Sequence, residues 1–315
     1  MGSGEANMDI HDVIIVGAGP AGLSAGVYCA RKMLDTLVVS ANVGGQAAWS
    51  WEVENYLGYQ LITGSELVAH FRDHLVNFRV KLLEGKNVTD LYRENALFIV
   101  RTEDGEEFAS RAAIAASGKV PRMLGIPGER EFRGRGVAYC ATCDAPLFRK
   151  KRVAVVGGGN SALDAALQLA QIAERVYLIT NQPLLGGDEI RRGQVLDASV
   201  VEVLTSTEVT ALRGEKFVES MELLQHGAKG HLEVQGVFIE IGSIPSTSYL
   251  PAEVERNHLG EIVIDSNNRT SLSGLFAAGD VTDIMEKQII IAAGEGAKAA
   301  LAAYSWLVQA GYLSS

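Results

Sequence analysis

Val13-Ile14-Ile15-Val16-Gly17-Ala18-Gly19-Pro20-Ala21-Gly22 decides the fold, because a short, continuous, β-branched apolar run breaks here into glycines at the spacing G-x-G-x-x-G. Such a run reads as a strand buried on both faces of a parallel sheet. Leu23, Gly26, Val27 and Ala30 then recur at i, i+3, i+4 and i+7, a helix with a narrow small-residue face, and Leu37-Val38-Val39 returns as a strand. In a turn of this kind the first glycine permits the bend. The second lets a pyrophosphate approach the backbone, and the third lets helix and strand pack closely. The phosphate then meets unpaired N–H groups at the positive helix end.

The same grammar restarts at Val153-Ala154-Val155-Val156 and turns at Gly157-Gly158-Gly159-Asn160-Ser161-Ala162. It continues as a helix with Leu163, Ala166, Leu167 and Ala170 on one face, and closes at Val176-Tyr177-Leu178-Ile179. Each copy is a strand-helix-strand unit of right-handed crossover length. The fold class expected is α/β with two Rossmann-like dinucleotide-binding domains, which suits 315 residues. Gly274-Leu275-Phe276-Ala277-Ala278-Gly279-Asp280 reads as a further short strand. Its expected helix partner is the final stretch, with a face of Ala293, Ala297, Ala300, Leu301, Tyr304 and Leu307. The pattern alone does not say which domain owns that tail.

Composition is globular, with 47% hydrophobic residues. No uninterrupted apolar run reaches the ~18 residues of a spanning helix, and the N-terminus has neither the basic start nor the apolar stretch of a signal peptide. Cytoplasmic residence without membrane attachment is therefore expected, with the first eleven residues as a short leader. The formal net charge of −10, spread without a long single-sign block, argues against a nucleic-acid partner.

Between the two fingerprints lies Cys140-Ala141-Thr142-Cys143-Asp144. A C-x-x-C pair can be a zinc half-site, a redox disulfide or two structural thiols. Zinc needs four ligands, and there is no second C-x-x-C and no nearby H-x-H, so no metal is expected. The third cysteine, Cys29, falls within the first helix and reads as a small core residue. Redox cycling is the favoured reading, in which one thiolate attacks a disulfide and its partner resolves the mixed disulfide. Asp144 is a candidate proton carrier and equally a helix cap.

An NAD-type turn usually has an acid about 20 residues on to hold the ribose hydroxyls, and a 2′-phosphate asks for Arg. Neither copy complies: the first unit ends its second strand at Ser40 and the second at Thr180-Asn181-Gln182, all neutral.

With these residues in view, the chain from Asp12 onward resembles the low-molecular-weight thioredoxin reductase family of flavoproteins. Gly17, Gly19, Pro20, Ala21 and Gly22 look like its FAD pyrophosphate turn. Gly44-Gly45-Gln46 and Glu54-Asn55-Tyr56 look like its flavin-side loops, and Ala116-Ser117-Gly118 like its strand end. Gly157, Gly159, Asn160 and Ser161 look like its pyridine-nucleotide turn, Gly242 and Pro245 like its exit, and Gly279-Asp280 with Lys287-Gln288-Ile289 like its C-terminal flavin contacts. The resemblance implies a discontinuous FAD domain of residues 1–118 and 246–315, and a middle domain of residues 119–245 carrying nucleotide site and dithiol. It also implies a homodimer, a middle domain that rotates on hinges near Lys119 and Gly242, and a thioredoxin-like protein as partner. Cys143 would face the flavin, Cys140 would be the exchange thiol, and Asp144 the acid/base.

The departure lies at Thr180-Asn181-Gln182, where NADPH-using members carry His-Arg-Arg; Arg191 and Arg192 stand too far along to be assumed substitutes. An NADH-using peroxide-reductase flavoprotein resembles the chain over Lys287 to Ala300, but carries an acid where Thr180 stands. It also has a thioredoxin-like tandem ahead of its first fingerprint, so a different member is expected here. Other relatives take electrons from ferredoxin or a second flavin. The donor is thus left open among NADH, NADPH and a non-nicotinamide source. The alternative to the enzyme is a non-enzymatic flavin-binding redox sensor using the same dithiol. The last aromatic residue, Tyr312, is expected to fill a dimer seam.

Overall fold

The computed structural model describes residues 9–50 and 52–313, so most of the leader lies outside the described residues. The chain divides into two compact units. One comprises residues up to Ala48, Tyr56–Val120 and everything from Ile244 on; the other comprises Trp49–Asn55 and Pro121–Ser243.

The first unit begins with β1 (Ile10–Ala18), α1 (Pro20–Arg31), β2 (Thr36–Val43), α2 (Gly64–Asn77) and β3 (Lys81–Glu84). The hairpin β4 (Val88–Glu94) and β5 (Leu97–Thr102) follows, then β6 (Glu107–Ala115). β3, β2, β1 and β6 lie side by side, parallel throughout. The outer edge of β6 is shared: its first half pairs antiparallel with β5, its second half parallel with a late strand described below. Alternation along β1 explains the layers. Val13 and Ile15 pack with α1 residues such as Leu23 and Val27, whereas Ile14 and Val16 pack on the opposite face with Leu91, Phe98, Tyr249 and Ile262. Val13 to Ile15 have no exposed surface, and burying each aliphatic side chain is worth about 1.5–3 kcal/mol.

The chain leaves the first unit along β7 (Lys119–Pro121). The second unit contains β8 (Val137–Ala138), the short α3 (Ala141–Asp144), β9 (Arg152–Val156), α4 (Asn160–Ala170), β10 (Arg175–Ile179), α5 (Glu189–Asp197) and β11 (Val201–Leu204). An antiparallel sheet of β12 (Thr207–Gly214), β13 (Val218–Gln225) and β14 (Ala228–Glu233) follows, and then β15 (Gly236–Ile239). The main sheet runs β11-β10-β9-β15-β8, every pair parallel. Val153 and Val155 face α4, and Ala154 and Val156 face the antiparallel sheet through Val209, Leu212 and Met221. The chain returns along β16 (Ser243–Pro245), which pairs with β7.

Back in the first unit, β17 (Leu275–Ala277) completes the β6 edge and α6 (Ile289–Gln309) covers it. Residues 274–280 therefore supply a strand of the first sheet, and both glycine turns sit at carboxyl ends of parallel strands, the α/β architecture expected.

One expectation needs correction. The buried face of α6 is Ala292, Gly296, Ala299, Ala300, Ala303 and Leu307. Ala300 and Leu307 belong to the expected stripe and Tyr304 is partly buried against the same core, but Leu301 is 40% exposed, and Ala292, Gly296, Ala299 and Ala303 take the other buried places. The register is set by Gly296, whose missing side chain lets α6 lie against the backbone of Ala21 in α1. The two compact units divide at 120/121 and 243/244, within two residues of the expected boundaries, and residues 49–55 group with the second unit. There Trp49 lies under the guanidinium of Arg133, 4.3 Å from ring centre to Cζ.

Candidate active site

Three local structures hold the residues that the sequence singles out: the two glycine turns and the cysteine turn. In the first, Gly17 has φ of 108°, and a β-carbon there would stand 2.4 Å from the Ala116 carbonyl oxygen. A β-carbon on Gly22 would stand 1.8 Å from the Gly17 carbonyl oxygen. Gly19 is different, because its missing side chain would point into open space. It is also the N-cap of α1; it makes no side-chain cap bond, Pro20 follows, and the first turn holds no acid. Uncapped N–H groups beside an open glycine fit a dinucleotide phosphate, which would complete the cap.

Distant segments converge on this turn. Gly45, in a short 3₁₀ segment Gly45–Trp49, lies beside the Cα of Gly19. Gly279, at φ of 77°, lies against Ala21 and Ala292. Asp280 follows it, its carboxyl pushed up by burial while Lys119 and Lys287 pull the other way. Lys287 is itself held, donating to the carbonyls of Asp280 and Thr282 and pairing with Glu261 at 3.1 Å. Gln288 and Ile289 form the start of α6.

Other expected flavin contacts also make hydrogen bonds within the protein. Gln46 donates to the Lys119 carbonyl at 2.8 Å, and Gly118 takes φ of 67° to accept from Ser246 N–H. The Ser117 hydroxyl donates to the Ser246 carbonyl at 2.8 Å and lies 3.1 Å from the Tyr249 hydroxyl, which ties the β6 exit to the returning chain. Asn55 groups with the second unit. Ser40 accepts from Ala18 N–H, so even the neutral end of β2 braces the glycine turn.

The second turn repeats the first. A β-carbon on Gly157 would stand 2.3 Å from the Glu240 carbonyl oxygen, and Gly159 again faces open space as an N-cap without a side-chain bond. These residues also fit a dinucleotide. Here, however, a clasp follows: Gly186 N–H donates to the Gly158 carbonyl, and Asn160 Oδ1 accepts from Asp188 N–H at 2.8 Å. Ser161 is exposed. Thr180 is buried against Gly158 and accepts from Gln182 N–H, while the Gln182 amide donates to Asn181 Oδ1. Arg191 is paired with Asp164, and Arg192 with Glu189 and the Leu185 carbonyl.

Cys140 and Cys143 form a disulfide, with Cα atoms 5.3 Å apart. Cys140 caps α3, its sulfur 3.2 Å from Cys143 N–H, and its carbonyl accepts from Asp144 N–H. Ala141 N–H donates to Glu240 Oε1 at 3.3 Å. Both cysteines are half-buried, and desolvation raises the Asp144 carboxyl to about 7. Tyr139, just before the motif, donates to Glu129, whose buried carboxylate also accepts from Leu124 and Gly125 N–H. Glu240 and Glu129 were missed by motif reading. The one visible sign of Glu240 was a single acid in Val237-Phe238-Ile239-Glu240-Ile241. Among the described residues no group of three or more His, Cys, Asp or Glu is gathered to hold a metal, and no helix is long and apolar enough to cross a membrane.

The pyridine nucleotide-disulphide oxidoreductase family model matches residues 11–300. The chain belongs to this family. Curated relatives include an NADH dehydrogenase of Bacillus subtilis, 38% identical over 98% of this chain and 62% of that protein. Another is a subunit of the alkyl hydroperoxide reductase of Staphylococcus aureus, 40% identical over 96% of this chain and 60% of that protein. The chain thus spans about three fifths of the length of these relatives. Among solved structures, thioredoxin reductase from Streptococcus pyogenes superposes with a TM-score of 0.90 at 32% identity, covering 95% of this chain and 99% of that one. Beyond the family, the superposition shows that the chain has the fold of a low-molecular-weight thioredoxin reductase.

Proposed function

We propose that this enzyme takes electrons from NADH and delivers them, through the Cys140–Cys143 disulfide, to the disulfide of a thioredoxin-like protein. The observation that carries the choice of donor is the end of β10. The 2′-phosphate of NADPH calls for a guanidinium fork. Here Thr180, Asn181 and Gln182 are neutral, and Arg191 and Arg192 are engaged on α5 and α4. The ribose diol of NADH asks only for neutral donors and acceptors, which the Asn181 and Gln182 amides present.

FAD, when bound, supplies the two-electron relay between nicotinamide and disulfide. Gly17, Gly19, Pro20, Ala21, Gly22, Gly45, Gly279, Asp280, Lys287, Gln288 and Ile289 would hold it in the first unit. Gly157, Gly159 and the N–H groups of Asn160 and Ser161 would hold the NADH pyrophosphate in the second. In the reduced chain the Cys140 thiolate attacks one sulfur of the partner's disulfide, forming a mixed disulfide and releasing a partner thiolate. Cys143 then attacks Cys140 Sγ, closing the enzyme disulfide and expelling the second partner thiolate. Asp144, raised to about 7, exists as both acid and base near neutrality and can hand a proton to a departing thiolate at its carboxyl oxygen.

The test is anaerobic bleaching of the bound flavin with NADH, NADPH and reduced ferredoxin in separate cuvettes, followed by addition of an oxidised thioredoxin. The reading requires rapid bleaching by NADH and recovery of the oxidised spectrum on adding thioredoxin. Bleaching by ferredoxin alone, or by NADPH in preference to NADH, overturns the choice of donor. Failure of thioredoxin to reoxidise the enzyme overturns the choice of acceptor.

A further inference from the structure

Glu240 stands where the two nucleotide-binding halves differ. In the first unit the residue after β6 is Ala116, which donates its N–H to the Val16 carbonyl at 2.8 Å and sets its own carbonyl against Gly17. In the second unit the residue after β15 is Glu240, which donates to the Val156 carbonyl at 2.8 Å and sets its carbonyl against Gly157. Two residues later each strand exits through a left-handed glycine, Gly118 at φ of 67° and Gly242 at φ of 91°. The backbones are equivalent, yet one half has a methyl group and the other a carboxylate. That carboxylate reaches the N–H of Ala141, the residue that follows Cys140.

We infer that Glu240 is a positioning residue of the dithiol: anchored by its backbone at the Gly157 turn, its carboxylate holds the Ala141 N–H and opposes formation of the Cys140 thiolate. This rests on the assignment of Cys140 as the exchange thiol. Two electrons and two protons convert the Sγ–Sγ bond into two thiols, and the reactive form appears when Cys140 releases its proton. A negative charge held at the N–H of the next residue disfavours the thiolate, and a hydrogen bond given to Glu240 is one fewer for the sulfur. A dithiol whose thiolate is disfavoured is the stronger reductant, which suits a protein that passes electrons onward.

Three further acids lie on or next to the motif's own elements, and Arg133 stands over the Tyr139 ring. Asp144 lies on the same turn, and its burial favours the neutral form near pH 7 and below. Asp164, on the adjacent α4, is paired with Arg191, and Glu129 is engaged by Tyr139.

The test uses the holoenzyme reduced with a phosphine under nitrogen, and measures the rate of iodoacetamide alkylation against pH, with the modified cysteine identified by mass. Cys29 stays silent, being fully buried with its thiol pushed up to about 12. Glu240→Gln keeps the acceptor and removes the charge. Glu240→Ala removes both, and Ala116 shows that alanine is accommodated at the equivalent backbone position. Both variants are expected to shift the Cys140 profile to lower pH by about one unit, roughly tenfold more thiolate at a fixed pH below the parent midpoint. If Cys140 is labelled first in all three proteins and the Glu240→Gln profile superimposes on the parent's, the proposal is overturned while the assignment of Cys140 stands. If Cys143 is labelled first, that assignment fails and the proposal with it.

Discussion

Gly296 of α6 lies so close to Ala21 of α1 that a β-carbon at 296 would stand 2.0 Å from the Ala21 carbonyl oxygen. This contact brings the C-terminal part of the chain against the first glycine turn, and Gly279 reinforces it by lying against the Ala21 side chain. Neither neighbour can give way, since both sit in packed helical or 3₁₀ backbone.

Gly296→Ala should therefore push α6 off α1. A loss of about 1–3 kcal/mol is expected, the range for overpacking a filled interior, together with weaker flavin retention. Denaturant unfolding, with the ratio of flavin to protein absorbance read on the purified variant, checks both. Unchanged stability with full flavin would show that the helices are free to separate.

Gly19 and Gly159 offer the opposite experiment, because a β-carbon at either position meets no protein atom within 4 Å. Both have negative φ, so alanine is conformationally permitted. Gly19→Ala should fold normally and purify with less FAD. Gly159→Ala should keep its FAD and bind NADH at least about tenfold more weakly, about 1.4 kcal/mol. Thermal melting, flavin content and NADH titration separate these effects from misfolding.

The neutral end of β10 predicts a specificity switch. Asn181 and Gln182 are exposed, so arginine at both positions adds guanidinium groups without disturbing the buried Thr180. The double variant Asn181→Arg, Gln182→Arg should raise kcat/KM for NADPH relative to NADH by about tenfold or more, as a charge-assisted contact to the 2′-phosphate would. Steady-state kinetics with both nucleotides measures it, and an unchanged ratio would place the adenosine end elsewhere.

Asp144 predicts a pH dependence of stability. Its carboxyl rises from 3.8 to about 7 on folding, through burial. Between those values the folded chain holds a proton that the unfolded chain has released, so this residue's contribution is fully present below about pH 4 and falls as pH climbs to about 7. Asp144→Asn should remove that part of the slope, gaining on the parent toward pH 8. Melting of the oxidised protein from pH 4 to pH 8, parent against variant, is the check, and parallel curves would contradict it.

The elements that chain-local physics controls were legible. The runs Val13 to Val16 and Val153 to Val156 are strands because four consecutive β-branched or small apolar residues suit a doubly covered sheet, and the glycines that follow at 17 and 157 stand where a side chain would strike Ala116 or Glu240. The cysteines are bonded because their spacing brings them together within one turn.

The amino-acid sequence by itself determined two glycine turns, the strand–helix–strand units around them, and a dithiol between them, since periodicity, backbone freedom and short spacing act over a few residues. Tertiary structure alone decided which side chains meet across long separations. It set the register of α6 through Gly296 and drew the Ser117 hydroxyl to Ser246 and the Asn160 amide to Asp188. It also brought the Glu240 carboxylate to Ala141, ninety-nine residues away in the chain. Those meetings depend on how packed layers approach one another, and no local pattern of residues encodes that distance.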